Sequence, residues 1–329
     1  ITNILKRTAK NCDYVLDIST DFPRPPAITY RGARCFIHTP LEVLNGLKAI
    51  AQKENASAFM IILAAFKLLL YRYTGQSDIL VGTPLANRSR VELEEVMGYF
   101  LTLGTLRTRM SKDMTFIQLL HSVRETALAV YKHQDMPIGL LIDELKVPAD
   151  ISRSPLVQAI FVYVDVPEEK LQLPDLTVEF EMIDGETAKY DITVGFSETE
   201  KGLEGFFEYS PDLFRQDTIE RMGEHWHRLL YAILENPHAS ISDLAMLTEG
   251  EKKQLLIDWN TNKQPFSDHA CIHELFEAQV KKIPEQIALT YNDQIITYQE
   301  LNNRANQVAR LLRKRGVEGE TLIGFYMDV

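Results

Sequence analysis

The 329-residue chain is short of the residues that would make it a disulfide scaffold, a nucleic-acid binder or a membrane protein. Its three cysteines, Cys12, Cys35 and Cys271, are too few and too scattered for a disulfide framework or a thiolate metal site. That fits a reducing compartment, and a cytoplasmic location is expected. Basic residues are in deficit, 35 Lys and Arg against 46 Asp and Glu, and the net charge of -11 repels phosphate. No nucleic acid and no membrane surface is therefore expected as a partner. The longest apolar stretch, residues 58–71, contains Lys67. It falls short of the roughly 20 residues that a membrane span requires, so it predicts a buried helix.

Self-sufficient catalytic constellations are lacking too. There is no Gly-x-Ser-x-Gly elbow, no phosphate loop and no His-Glu-x-x-His. His225 and His227 are two apart in a helical pattern, so they point in different directions and cannot share a metal. No metal site is expected. The basic run Arg313-Lys314-Arg315 ends a helix, where it complements the macrodipole.

What is present is a folded composition, 45% hydrophobic and 25% charged, with length for one large domain or two ordinary ones. The proline-rich Asp21-Phe22-Pro23-Arg24-Pro25-Pro26 reads as an extended connector. Apolar periodicity predicts helices over 41–53, 57–73, 115–133 and 137–145, and another in which Asp217 is the N-cap. Strands are expected at 29–38, 79–83, 156–164, 177–182, 190–198 and 203–209. Thr248 and Glu251 have capping-box spacing before one more short helix. The polar, aperiodic stretch 259–270 marks a boundary. Beyond it the pattern gives a helix over 272–282, two strands meeting at Asn292-Asp293, a second capping box at Thr297 and Glu300, a helix ending at Gly316, and a strand over 321–326. The opening on Ile1 and the close at Val329 lead us to expect a piece of something longer.

Several strings go further. DFPRPPAITYRGA (21–33), YRYTGQSDILVGTPLANRSR (71–90), MGYFLTLGTLRT (97–108), HQDMP (133–137), ISRSPL (151–156), EYSPDLF (208–214) and LLIDWN (255–260) occur in order. Together they resemble the condensation domains of nonribosomal peptide synthetases. IHELFEAQVKKIPEQIAL (272–289) and ITYQEL (296–301) resemble the opening of an adenylation domain. The fold implied is α/β: a chloramphenicol-acetyltransferase-like αβ sandwich lobe, plus the incomplete start of an adenylate-forming, AMP-binding domain. The divisions expected are 1–258 for the crossover and second lobe, 259–270 for the linker and 271–329 for the adenylation start.

The reaction this resemblance implies is amide formation between two thioesters held on the phosphopantetheine arms of carrier domains. It would be assisted by a histidine of a His-His-x-x-x-Asp-Gly motif that this sequence does not contain. Thr83 would meet the acceptor amine, or be a turn residue ahead of Pro84. Gly98, Tyr99, Phe100 and Thr102 align with a tunnel-wall motif, with Thr102 where the family usually has asparagine. Arg72 or Arg88 would brace the missing motif's aspartate across the lobes, or be solvated. Asp135 and Arg153 stand at motif positions read mainly as holding loops. Ile138 and Gly139 replace the usual Phe-Glu.

The partners implied are upstream and downstream peptidyl carrier domains, the absent first lobe, and the rest of the adenylation domain in cis. The longer protein would use phosphopantetheine, ATP and magnesium, and the piece itself would bind none and be inactive. A non-catalytic docking platform for carrier domains, an epimerisation domain of the same fold and a free-standing acyltransferase are the alternatives.

Overall fold

The computed structural model describes residues 14–88, 90–164, 185–261, 271–292, 294–324 and 326. The expected strand at 177–182, Cys12, Asp293 and most of the 259–270 stretch lie outside these. The chain divides into two units, one ending at Gln254 and the other starting at Leu255.

The first unit is built on a six-stranded sheet. In chain order its elements are β1 (Ala33–Pro40), α1 (Leu41–Lys53), α2 (Ala58–Thr74), β2 (Asp78–Leu85), β3 (Thr102–Arg109), α3 (Phe116–Lys132), α4 (Ile138–Leu145), β4 (Ala159–Val164), β5 (Ile192–Thr199), β6 (Gly202–Tyr209), α5 (Gln216–Glu235) and α6 (Glu249–Leu256). The strand order is β1-β6-β5-β4-β2-β3. β2, β4 and β5 run parallel, while β1, β3 and β6 pair antiparallel to their neighbours.

Period-two alternation sorts the strand side chains onto two faces. One face carries Ile79, Val81, Phe161, Val194, Phe196, Leu203 and Phe207 into the main core with α1, α2, α3 and α5. α2 runs through its middle and is buried on all sides from Met60 to Leu70, as a helix apolar around its whole circumference must be. Ser57 caps its start and Gly75, at φ +68°, ends it. On the other face, Leu80 and Ile160 pack with Leu141 of α4 and with Leu156 and Val157 in a smaller cluster. No single described helix is long and apolar enough to cross a membrane.

The boundaries of α1 and α3 and the capping box at Thr248 fall where the pattern places them. Two expectations in this unit are corrected and one strand is added. The first strand starts at Ala33, because residues 28–32 are tied to Ile151 and Glu186 instead. β3 is an added strand at the sheet's edge, where Leu103 and Leu106 stand three apart and so give no period-two alternation. Asp217 lies inside the first turn of α5, whose N-cap is Arg215. The capping carboxylate is Asp21: its Oδ2 accepts from the Arg215 N–H at 2.8 Å and its Oδ1 from the Thr218 hydroxyl at 3.1 Å.

The second unit contains α7 (Ile272–Lys282), a hairpin of β7 (Ile287–Tyr291) and β8 (Gln294–Thr297), and α8 (Tyr298–Lys314). Glu274 and Glu300 close capping boxes on Cys271 and Thr297. Residues 321–324 form no strand. Among its described residues only Val280 is buried.

Candidate functional site

Thr83, Arg88, the loop that ends at Thr102 and the HQDMP segment gather around one end of β2, while Arg72 and Arg153 lie elsewhere. Thr83 is buried inside that strand, opposite Gly104 of β3, so it is a strand residue and not a turn. Two residues on, Leu85 faces Thr102, the first residue of β3. Leu85, Leu103 and Gly104 close a small cavity with Val130, His133, Met136, Ile138 and Leu141. The VGTP strand, the TLG strand and the HQDMP segment thus converge. The cavity measures about 20 Å³, room for one water molecule. Gly104 is needed there, because a Cβ would lie 2.9 Å from Val130 and 2.8 Å from Leu85. Asp135 is exposed beside it.

Between β2 and β3 the chain makes a loop on which Tyr99 is 88% exposed and Phe100 half-buried. Arg88 organises this loop. Its guanidinium donates to the carbonyls of Leu93, Val96 (2.8 Å) and Gly98 (3.2 Å), and it lies 4.5 Å over the Phe100 ring. Arg72 is far from it. It sits in the last turn of α2, before β2 begins, and donates to the carbonyls of Leu244 at 2.8 Å and Ile241 at 3.3 Å. Desolvation lowers its pKa from the ordinary arginine value. The eight residues of β2 separate the two arginines by roughly 25 Å, so one carboxylate cannot serve both.

Arg153 lies with Asp150, Nε to Oδ2 at 2.8 Å. Donors from Ser152, then Arg153, hold Asp150 below the usual carboxylate range. The Ser152 carbonyl also accepts from Arg24 at 3.1 Å, and Arg24 clamps Asp191 with bonds of 3.0 and 2.5 Å. The ISRSPL loop is therefore fastened to the proline-rich crossover. The two helical histidines do separate things. His225 bridges Tyr73 (2.7 Å) and Glu251 (2.9 Å), while burial lowers the pKa of His227 against a bond to the His38 backbone.

One feature escaped the motifs. Among the described residues no helix covers the sheet face opposite the main core over β1, β6, β5 and the end of β4, where Phe36, Phe206, Gly195 and Val162 form a cross-strand row. A Cβ on Gly195 would come within 2.5 Å of the Phe206 ring, and one on Gly205 within 2.4 Å of Phe196. Each aromatic thus lies over the glycine paired with it, Phe206 outward beneath Arg34 (4.7 Å) and Phe196 inward against Trp226 (5.0 Å). Between Phe36 and Phe206 on one side and Val162 and Val164 on the other runs an apolar cavity of about 180 Å³, edged by Ser197 and Glu204. The signal for it in the sequence is an isolated glycine in each of two strand patterns.

Among the described residues no three His, Cys, Asp or Glu side chains could share a metal ion. Residues 5–256 match the family model of the condensation domain, and residues 276–329 that of the AMP-binding enzyme. Over 320 residues the chain is 43% identical to one of the linear gramicidin synthase proteins of Brevibacillus parabrevis, covering 96% of this chain and 6% of that protein. It is 37% identical over 305 residues to gramicidin S synthase 2 of Brevibacillus brevis, covering 92% and 7%. The chain spans less than a tenth of the length of these curated relatives. A crystal structure of a four-domain nonribosomal peptide synthetase bound to AMP and glycine superposes with a TM-score of 0.73 over 96% of this chain and 25% of that one, and at 22% identity it shows the fold. The chain belongs to the condensation-domain family of nonribosomal peptide synthetases, with the beginning of an AMP-binding enzyme after it.

Proposed function

We propose that residues 1–258 are the crossover and second lobe of an amide-forming condensation domain, joined through 259–270 to the start of an adenylation domain at 271–329. Condensation domains of such synthetases work with carrier domains. In this reading the acceptor amine, on one carrier's phosphopantetheine arm, attacks the thioester carbonyl on another. The C–N bond forms as the C–S bond breaks, and the released thiol stays on the donor arm. Holding both ends in one tunnel supplies most of the gain, and proton transfer falls to a histidine outside this chain. Gly98, Tyr99, Phe100 and Thr102 are the tunnel-wall residues of the proposal, with Thr83 buried behind them on the core side of β2. Arg72, Arg88, Asp135 and Arg153 hold the wall.

ATP and magnesium would serve the adenylation domain, and no step through them falls on this chain's residues. A carrier-docking role without chemistry is the second reading, favoured by the exposure of Tyr99.

The observation that carries the catalytic reading is the open sheet face, where the apolar cavity beside Phe206 offers a surface for a substrate side chain. Val164→Phe, made in the longer synthetase, adds bulk to that space from its exposed edge. Condensation with a bulky apolar acceptor is expected to slow on the order of tenfold while amino-acid activation stays unchanged. Unchanged condensation with every acceptor refutes the assignment of this face.

A further inference from the structure

Lys67 lies in the middle of α2 with no solvent exposure. Its Nζ is 2.7 Å from the carbonyl oxygen of Leu106 and 2.7 Å from Oγ1 of Thr108, both on the edge strand β3. The number of acceptors bears on which form of the amine fits. A neutral amine has two N–H groups, and these two acceptors satisfy both. An ammonium has three, and its third would need a further partner in the core.

Countercharge is in short supply as well. The carboxylate that acts on Lys67 is Asp78 of β2, which alternation places on the other face of the sheet and which already accepts from Arg107 at 2.8 and 2.5 Å and from Arg109 at 3.3 Å. Titratable groups on the other helices that pack against α2 are engaged elsewhere. Lys48 of α1 pairs with Glu198, His121 of α3 with Glu54, and His225 of α5 with Tyr73 and Glu251. Arg124 of α3 donates to the Asn55 carbonyl. Burial accordingly lowers the Lys67 pKa to about 7, with Asp78 pulling weakly the other way.

We propose that Lys67 is a proton-responsive pin, which fastens β3 to α2 as a neutral amine and loosens that strand when it takes up a proton. The strand so held begins at Thr102 and carries Leu103 and Gly104 to the small cavity by HQDMP. This inference does not depend on the condensation reaction.

The test uses the 329-residue chain with ¹³C-labelled lysine, the Lys67 signal being identified by its loss in Lys67→Met. The Cε resonance of Lys67 is expected to titrate near pH 7, well below the ordinary lysine value of 10.5. Amide exchange at Leu106 and Thr108, corrected for intrinsic chemistry, is expected on the order of tenfold faster at about pH 6 than at about pH 9. That dependence should vanish in Lys67→Met. Thr108→Val removes one acceptor and should move the midpoint lower still, so it carries the test if Lys67→Met fails to fold. A Lys67 midpoint within about one unit of 10.5, or β3 exchange that ignores pH in the wild-type chain, overturns the proposal.

Discussion

The Oδ2 of Asp21 accepts a hydrogen bond from the backbone N–H of Arg215, 2.8 Å away and 194 positions along the chain. A helix start normally finds its cap in its own sequence. Here the cap comes from the crossover, which is also held by Arg24 on Asp191 and by the N–H groups of Asp21 and Phe22 on the Leu213 carbonyl. Residues 21–24 are thus built into the body of the first unit.

Asp21→Ala should cost about 1 kcal/mol, the usual worth of an N-cap, while Asp21→Asn should keep most of it. Urea denaturation of the three proteins checks this. An equal loss in Asn and Ala would mean that charge against the helix dipole, and not capping, is the main contribution.

Two left-handed glycines should respond differently to alanine. Gly75, at φ +68°, has open space around the position of a Cβ, so Gly75→Ala should cost about 1 kcal/mol from backbone strain alone. Gly202, at φ +135°, would bring a Cβ within 2.2 Å of the Thr39 carbonyl oxygen. Gly202→Ala should cost more than about 3 kcal/mol, seen as a larger drop in Tm. Equal losses would contradict the close approach of the β5–β6 turn to β1.

Glu251 should contribute to the acid limb of stability. Burial raises its pKa, but donors from Thr248 and His225 outweigh that and hold it below the ordinary 4.5. A depressed carboxylate contributes stability that is present above its unfolded pKa and lost as pH falls through the folded one. Stability should therefore decline below about pH 4.5, and Glu251→Gln should flatten part of that decline. Chemical denaturation across acid pH measures it. An unchanged slope in Glu251→Gln would show that the bonds from Thr248 and His225 leave the carboxylate's contribution to acid stability unaltered.

Local patterns carried much of the fold. The ends of α1 and both capping boxes, at Thr248 and Thr297, are set by neighbours within four residues, so they could be read from the sequence. The cap on α5 could not, because its donor and acceptor are separated by almost the whole unit. β3 is not legible because Leu103 and Leu106 stand three apart and face two different clusters, so its apolar residues show no period-two alternation. In the candidate site, sequence order found Thr83 and the strand that holds it. It could not show that Phe206 covers Gly195, or that Phe36 lies beside Phe206 in the same row. Those are facts of strand register, which a one-dimensional motif does not carry.

We propose that this chain supplies one wall of an amide-forming tunnel and depends on another segment for its histidine. Single-turnover amide formation with both carrier domains loaded, measured for the 329-residue chain and for a longer protein that includes the residues encoded before Ile1, tests it most directly. The account predicts no amide above the uncatalysed rate from the chain alone, and formation by the longer protein that is lost when its double-histidine motif is replaced by alanine. Turnover by the chain alone, or a longer protein that has no such motif yet forms the amide, would contradict it.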